Sequence, residues 1–128
     1  MIVLDASVVV ELLTNGALAD SLRRDLAGRT DSFIAPHLLD IEVVSALRNL
    51  VAGRRIDAYR SEQFLTGLAA LPVVRCAHTP LLGRIWELRH NFTAYDASYI
   101  ALAEATGSAP FGAAPFLRPS HWARLKTE

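Results

Sequence analysis

Short apolar runs alternate with amphipathic stretches from the first residue to Gly107, and this alternation constrains the fold more than any other feature. Ile2-Val3-Leu4, Ser32-Phe33-Ile34-Ala35 and Val73 to Cys76 are brief and apolar, as buried strands are. Between them lie helical patterns. Ser7 is a capping residue for a helix through Leu13 that Asn15-Gly16 terminates, and Leu18, Leu22 and Leu26 recur at fourfold spacing before Gly28. Pro36 opens a long helix with Ile41, Val44, Leu47 and Val51 on one face, closing at Gly53. Asp57 caps a helix carrying Phe64, Leu65 and Leu68, which Pro72 ends. Thr79-Pro80 reads as a cap with proline at the first helical position, leading into Leu82, Ile85 and Trp86. Thr93 caps a final helix rich in small residues, stopped by Gly107. Strands separated by helices predict an α/β chain of three layers, α/β/α, around a central parallel sheet. Ligands of such sheets bind outside the carboxyl ends of the strands.

At 128 residues, 52% of them hydrophobic, the chain can bury one core and is short for two ordinary domains. We expect one domain over residues 1–107 and an atypical tail over 108–128. Pro110, Pro115 and Pro119 fall in that tail with Gly112, its only acid is Glu128, and it reads as loop or ragged extension. Thirteen basic and thirteen acidic side chains cancel, so contact with nucleic acid must come from a local patch. Cys76 is alone, which excludes an internal disulfide and favours a buried or half-buried thiol over zinc. No apolar stretch reaches the roughly 20 residues that span a bilayer, so we expect no membrane contact and a cytoplasmic protein.

Three acids stand where this architecture delivers side chains to one sheet edge. Asp5 closes the first apolar run, Glu42 lies in the first turns of the long helix, and Asp96 opens the last one. Each also has a plain structural explanation: Asp5 and Asp96 as caps or partners of a helix N-terminus, Glu42 as a solvated charge. Together, in apolar surroundings, they suit an all-oxygen site for Mg²⁺ or Mn²⁺ and phosphate chemistry.

The opening Ile-Val-Leu-Asp-Ala-Ser, the segment Pro36 to Arg48 with Glu42 at its centre, and Leu88 to Glu104 with Thr93-Ala94-Tyr95-Asp96-Ala97 resemble the PIN domain. Within that family they are most similar to the VapC toxins of bacterial toxin-antitoxin pairs. The resemblance covers residues 1–107. It implies a metal-dependent endoribonuclease that cuts structured RNA, such as tRNA or rRNA, by attack of a metal-activated water. By position, Asp5, Glu42 and Asp96 match family metal-site acids, and Ser7 matches the hydroxyl residue beside the first. Asp40 and Glu104 match no ligand position. The resemblance also implies a homodimer and a VapB-type antitoxin as partner.

One element of the family pattern is missing. Beyond Gly107 the family continues with an apolar strand and a Thr-x-Asp motif, whereas Gly107-Ser108-Ala109-Pro110-Phe111-Gly112 has no acid. The change of composition suits a shifted reading frame or a degenerate end. The alternative function is therefore a catalytically weakened PIN protein that binds antitoxin or RNA without efficient cleavage. Substrate contacts would come from Ser7, Arg48 and Arg89, with Arg54, Arg55, Arg84 and His90 as further candidates. Tyr95 and Tyr99 could stack on a base, but core or dimer packing suits them better. A receiver domain is excluded: Asp5 has no acidic neighbour, and the only lysine, Lys126, lies in the tail. There is no P-loop, Gly-x-Gly-x-x-Gly or Gly-x-Ser-x-Gly motif.

Overall fold

The structure, a computed structural model, describes residues 1–111. Its centre is a parallel sheet of four strands in the order β3-β2-β1-β4, formed by β1 (Ile2–Leu4), β2 (Phe33–Pro36), β3 (Val73–Cys76) and β4 (Ala109–Phe111). Because side chains alternate across a strand, β1 feeds both faces. Ile2 and Leu4 pack with Val8, Val9, Leu39, Val43, Leu47, Phe64 and Leu68. Val3 points the other way, into a second cluster with Ile34, Leu88, Ala97, Tyr99, Ile100, Leu102 and Ala103. The first cluster is built on α1 (Ala6–Thr14), α3 (Leu38–Ala52) and α4 (Ala58–Ala70), with α2 (Ala19–Ala27) at its margin. The second rests on α5 (Leu82–Glu87) and α6 (Ala94–Thr106). This is the three-layer arrangement expected of the alternating sequence.

Strand order reverses at β1. The chain steps outward from β1 to β2 to β3, and α6 then carries it back across the opposite face to β4, on the far side of β1. Such a switch point opens a crevice at the carboxyl ends of the strands. Asp5 is the first residue beyond β1 at that edge.

Several local expectations are corrected. The cap of α1 is Asp5, whose side chain accepts from Val8 N at 3.2 Å; Ser7 lies inside the helix and donates its hydroxyl to the Asp5 carboxylate. Pro36 ends β2, paired with Cys76, and α3 starts after His37. Proline suits the extended backbone as well as a first helical turn, and the sheet decides between them. On α3 the buried stripe is Leu39, Val43 and Leu47, while Ile41 and Val44 are 67% and 44% exposed. The helix is apolar on more than one face, so packing and not periodicity selects the stripe. Thr79 begins a short 3₁₀ turn to Leu81 whose N-cap is His78.

The expected loop after Gly107 is also corrected at its start. Residues Ala109–Phe111 form β4, with Ala109 opposite Ile2, Pro110 opposite Val3 and Phe111 opposite Leu4. Proline removes one backbone donor, which an edge strand tolerates on its open side. Residues 112–128, the rest of the expected tail, lie outside the described residues. No helix among the described residues is long and apolar enough to cross a membrane.

Candidate active site

The carboxyl edge gathers all three sequence-predicted acids. Asp5 follows β1 and is buried, fixed by its bonds from Val8 N and the Ser7 hydroxyl. Glu42 sits near the start of α3, which leaves that edge after β2. Asp96 is in the first turn of α6, where the Thr93 hydroxyl caps the helix by accepting from Asp96 N at 3.2 Å. Helices of a parallel sheet run against their strands, so both N-termini lie at the end where Asp5 stands.

The three carboxyls act on one another through their charges. Burial pushes the Glu42 carboxyl above its ordinary range, and the charges of Asp96 and Asp5 push it further, against a lowering hydrogen bond from Tyr99. Asp96 is likewise raised, by burial first and then by Asp5, with Thr93 opposing. None of the ion pairs among the described residues includes Asp5, Glu42 or Asp96. Like charges held together without a cation favour protons or a metal ion. The donors are all oxygens, the set that suits Mg²⁺ or Mn²⁺. Among the described residues no three His, Cys, Asp or Glu side chains are drawn together tightly enough to hold a metal.

Tyr99 packs in the core as expected, and it also reaches the acids, which the sequence reading did not anticipate. Assigned to packing, it is indeed buried, but its hydroxyl donates to Glu42 Oε1 at 2.7 Å. Burial first, then Glu42, Asp5 and Asp96, hold its phenol proton in place well beyond the usual range. A signal existed in the sequence: Tyr99 lies three residues after Asp96, hence on the same helix face.

The arginines divide differently from expectation. Arg48 lines a groove with Val44, Leu47, Val51, Ala58, Ser61 and Leu65 between α3 and α4. It lies six residues past Glu42, about 9 Å along the helix, towards the opposite sheet edge, and the structure does not bring it to the acids. Arg54 and Arg55 lie in the turn at the C-terminal end of the same helix. Arg84 is committed to Glu104 and Glu87. Arg89 remains at the approach to α6, exposed, with its guanidinium 4.4 Å from the Trp86 ring centroid. An apolar groove of about 340 Å³ is lined by Ile41 and Tyr95, the sequence neighbours of Glu42 and Asp96, with Leu82, Ile85, His37 and His78 among others.

Comparison with known proteins agrees with this geometry. The PIN domain family matches residues 2–111, the last described residue included. Ribonuclease VapC1 of Mycobacterium tuberculosis is 42% identical over 125 residues, covering 90% of this chain and 91% of its own length. VapC ribonuclease Mb0985 of Mycobacterium bovis is 41% identical over 109 residues, 85% of this chain and 82% of the relative. In fold, the chain is similar to Mycobacterium tuberculosis VapC20, described as a Sarcin-Ricin loop cleaving toxin. The TM-score is 0.72 at 17% identity, over 91% of this chain and 92% of that one. A parallel sheet with its acids at the carboxyl edge, a family match along nearly all the described chain and relatives of this identity lead to one conclusion: the chain belongs to the PIN domain family, as a ribonuclease toxin of its VapC branch.

Proposed function

We propose that this chain is a divalent-metal-dependent endoribonuclease that cuts structured RNA, tRNA or rRNA, in the cytoplasm, and that it works as a homodimer restrained by a VapB-type antitoxin. The observation that carries this reading is the meeting of Asp5, Glu42 and Asp96 at one sheet edge, with Glu42 and Asp96 both raised and neither paired to a cation among the described residues. Asp5 and Asp96 would hold the ion by their carboxylate oxygens, and Asp5 is already oriented by Val8 N and Ser7. Bound Mg²⁺ or Mn²⁺ supplies a lowered water pKa and charge screening at the phosphate. Glu42 would ligate the ion through water, and it would orient that water and take its proton, a role that a carboxyl raised by burial suits. Arg89, exposed beside the start of α6, meets the RNA backbone. Ser7 acts on the site through Asp5.

The test uses purified protein with total tRNA and with ribosomes, in Mg²⁺, in Mn²⁺ and in EDTA. Discrete cleavage products in either metal and none in EDTA are expected. Induction should arrest growth unless the small protein encoded beside this chain is co-expressed. Cleavage that persists undiminished in EDTA would rule the metal site out.

A second reading, a weakened nuclease that still binds antitoxin or RNA, is favoured by one observation: no acid occurs between Gly107 and Glu128, where the family places its fourth. In that case Mn²⁺ should support cleavage better than Mg²⁺, because Mn²⁺ binds a given site more tightly. A graft of Thr-x-Asp after β4 should raise cleavage, and the same graft carrying Asn should not. Equal activity of the two grafts discards the weakened-nuclease reading.

A further inference from the structure

We propose that Tyr99 is a positioning residue of the acidic site, its hydroxyl holding the Glu42 carboxylate of α3 in register with Asp96 on α6. The inference rests on reading the three acids as the ribonuclease centre.

Packing explains the ring of Tyr99 but not its hydroxyl. Tyr99 is 2% exposed and packs in the cluster of Val3, Ile34 and Ile100, where phenylalanine would fill the same apolar space. A buried hydroxyl needs a partner, and this one bonds a carboxylate on another helix, 57 residues away in sequence, at 2.7 Å. One turn of α6 thus carries a candidate ligand, Asp96, and the donor that fixes the next one. The choice of donor matters chemically. Glu42 has a long side chain with several rotatable bonds, and leaving it free costs rotamer entropy whenever it must adopt one geometry. An arginine could hold it, as Arg84 holds Glu104 at the other end of α6, but would cancel its charge. A tyrosine holds one oxygen and leaves the negative charge for a cation or a proton. Beyond this bond to Oε1 the Glu42 carboxylate has no hydrogen bond to any described residue, and it feels the charges of Asp96 and Asp5.

The decisive experiment is a double-mutant cycle with two readouts. Tyr99→Phe should remain folded, lower kcat on total tRNA about 10- to 100-fold with KM within about twofold, and weaken Mn²⁺ binding, followed by the EPR signal of free Mn²⁺, by about tenfold or more. Added to Glu42→Gln, the same change should alter neither quantity, since the hydroxyl then has no charged carboxylate to position. Equal losses in both backgrounds, or unchanged kcat and Mn²⁺ affinity in the wild-type background, overturn the proposal. Should Tyr99→Phe fail to fold, the wild-type chain labelled with 3-fluorotyrosine is titrated with Mg²⁺. Movement of the Tyr99 fluorine resonance supports the coupling, and a static resonance overturns it. If Glu42→Gln alone cleaves RNA as well as wild type, the nuclease reading of the site fails instead, and Mn²⁺ binding decides the Tyr99–Glu42 coupling by itself.

Discussion

The two ends of α6 treat a carboxylate in opposite ways. At the C-terminal end, Glu104 takes two bonds from Arg84, at 2.7 Å and 3.0 Å, and the pair ties α6 to α5. At the N-terminal end, Asp96 is raised by burial and by Asp5, and Tyr99 offers Glu42 a neutral bond in place of a cation. The residues are eight apart, about 12 Å along the helix, and their surroundings could have been exchanged. A compensated acid stabilises, whereas a group of uncompensated acids costs stability in the empty protein and is retained for what it binds. Asp40 belongs with Glu104: Arg75 bonds it and also the carbonyls of Leu68, Leu71 and Val73.

The sharpest way to break this contrast is to neutralise acids at each end. Asp5→Asn, Glu42→Gln and Asp96→Asn should each reduce metal-dependent RNA cleavage by at least about 100-fold, the order of a lost acid-base contribution. Asparagine caps a helix as well as aspartate does, so Asp5→Asn should stay folded by circular dichroism. Glu104→Gln should cleave normally per folded molecule. Wild-type cleavage by all three edge variants would erase the distinction between the ends.

Stability should respond in the reverse order. Arg75→Ala strands three backbone carbonyls and Asp40 in a half-buried setting, and we expect a loss of about 3 kcal/mol in denaturant unfolding. Arg84→Ala should cost only about 1 kcal/mol, because its pair with Glu104 is partly exposed and screened. A larger loss from Arg84→Ala than from Arg75→Ala would invert that ranking.

The smallest effect sharpens the comparison at the acid edge. Folding raises the carboxyls of Glu42 and Asp96, so the folded chain binds their protons more tightly than the unfolded one. Their favourable contribution is complete below ordinary carboxyl pKa values and is lost as pH rises through the raised folded values. In metal-free buffer at neutral pH, Glu42→Gln and Asp96→Asn should therefore melt at or a few degrees above wild type. The difference should shrink as pH falls below about 4. A wild-type chain that gains on the Gln and Asn variants as pH rises would contradict the sign of both shifts.

Much of the fold was legible because it is written in local chemistry. Asp57 accepts from Tyr59 N, Thr93 accepts from Asp96 N, and Gly107 closes α6 at φ +66°, a left-handed geometry that glycine adopts without strain. Other features depended on competition between neighbours. Asp5 and Ser7 can both cap, and the buried end of β1 gave the role to Asp5. Pro110 suggested a loop, and β4 nevertheless pairs with β1 at an edge of the described sheet, a position where strands tolerate proline. Arg48 looked like a phosphate contact by residue type alone, and helix geometry carries it away from the acids.

By itself, then, the sequence determined which groups were available: three acids at element boundaries, caps and stops that place those boundaries, and apolar runs of strand and helix period. Those properties belong to single residues and their near neighbours, where hydrogen-bond reach and side-chain period act along the chain. Only the tertiary structure decided which carboxylates would go unpaired and which would find an arginine, which face of α3 would be buried, and that a tyrosine in the core would reach across to Glu42. Such outcomes turn on distances between segments far apart in sequence, and the strength of a charge or a hydrogen bond depends on what the fold has packed around it.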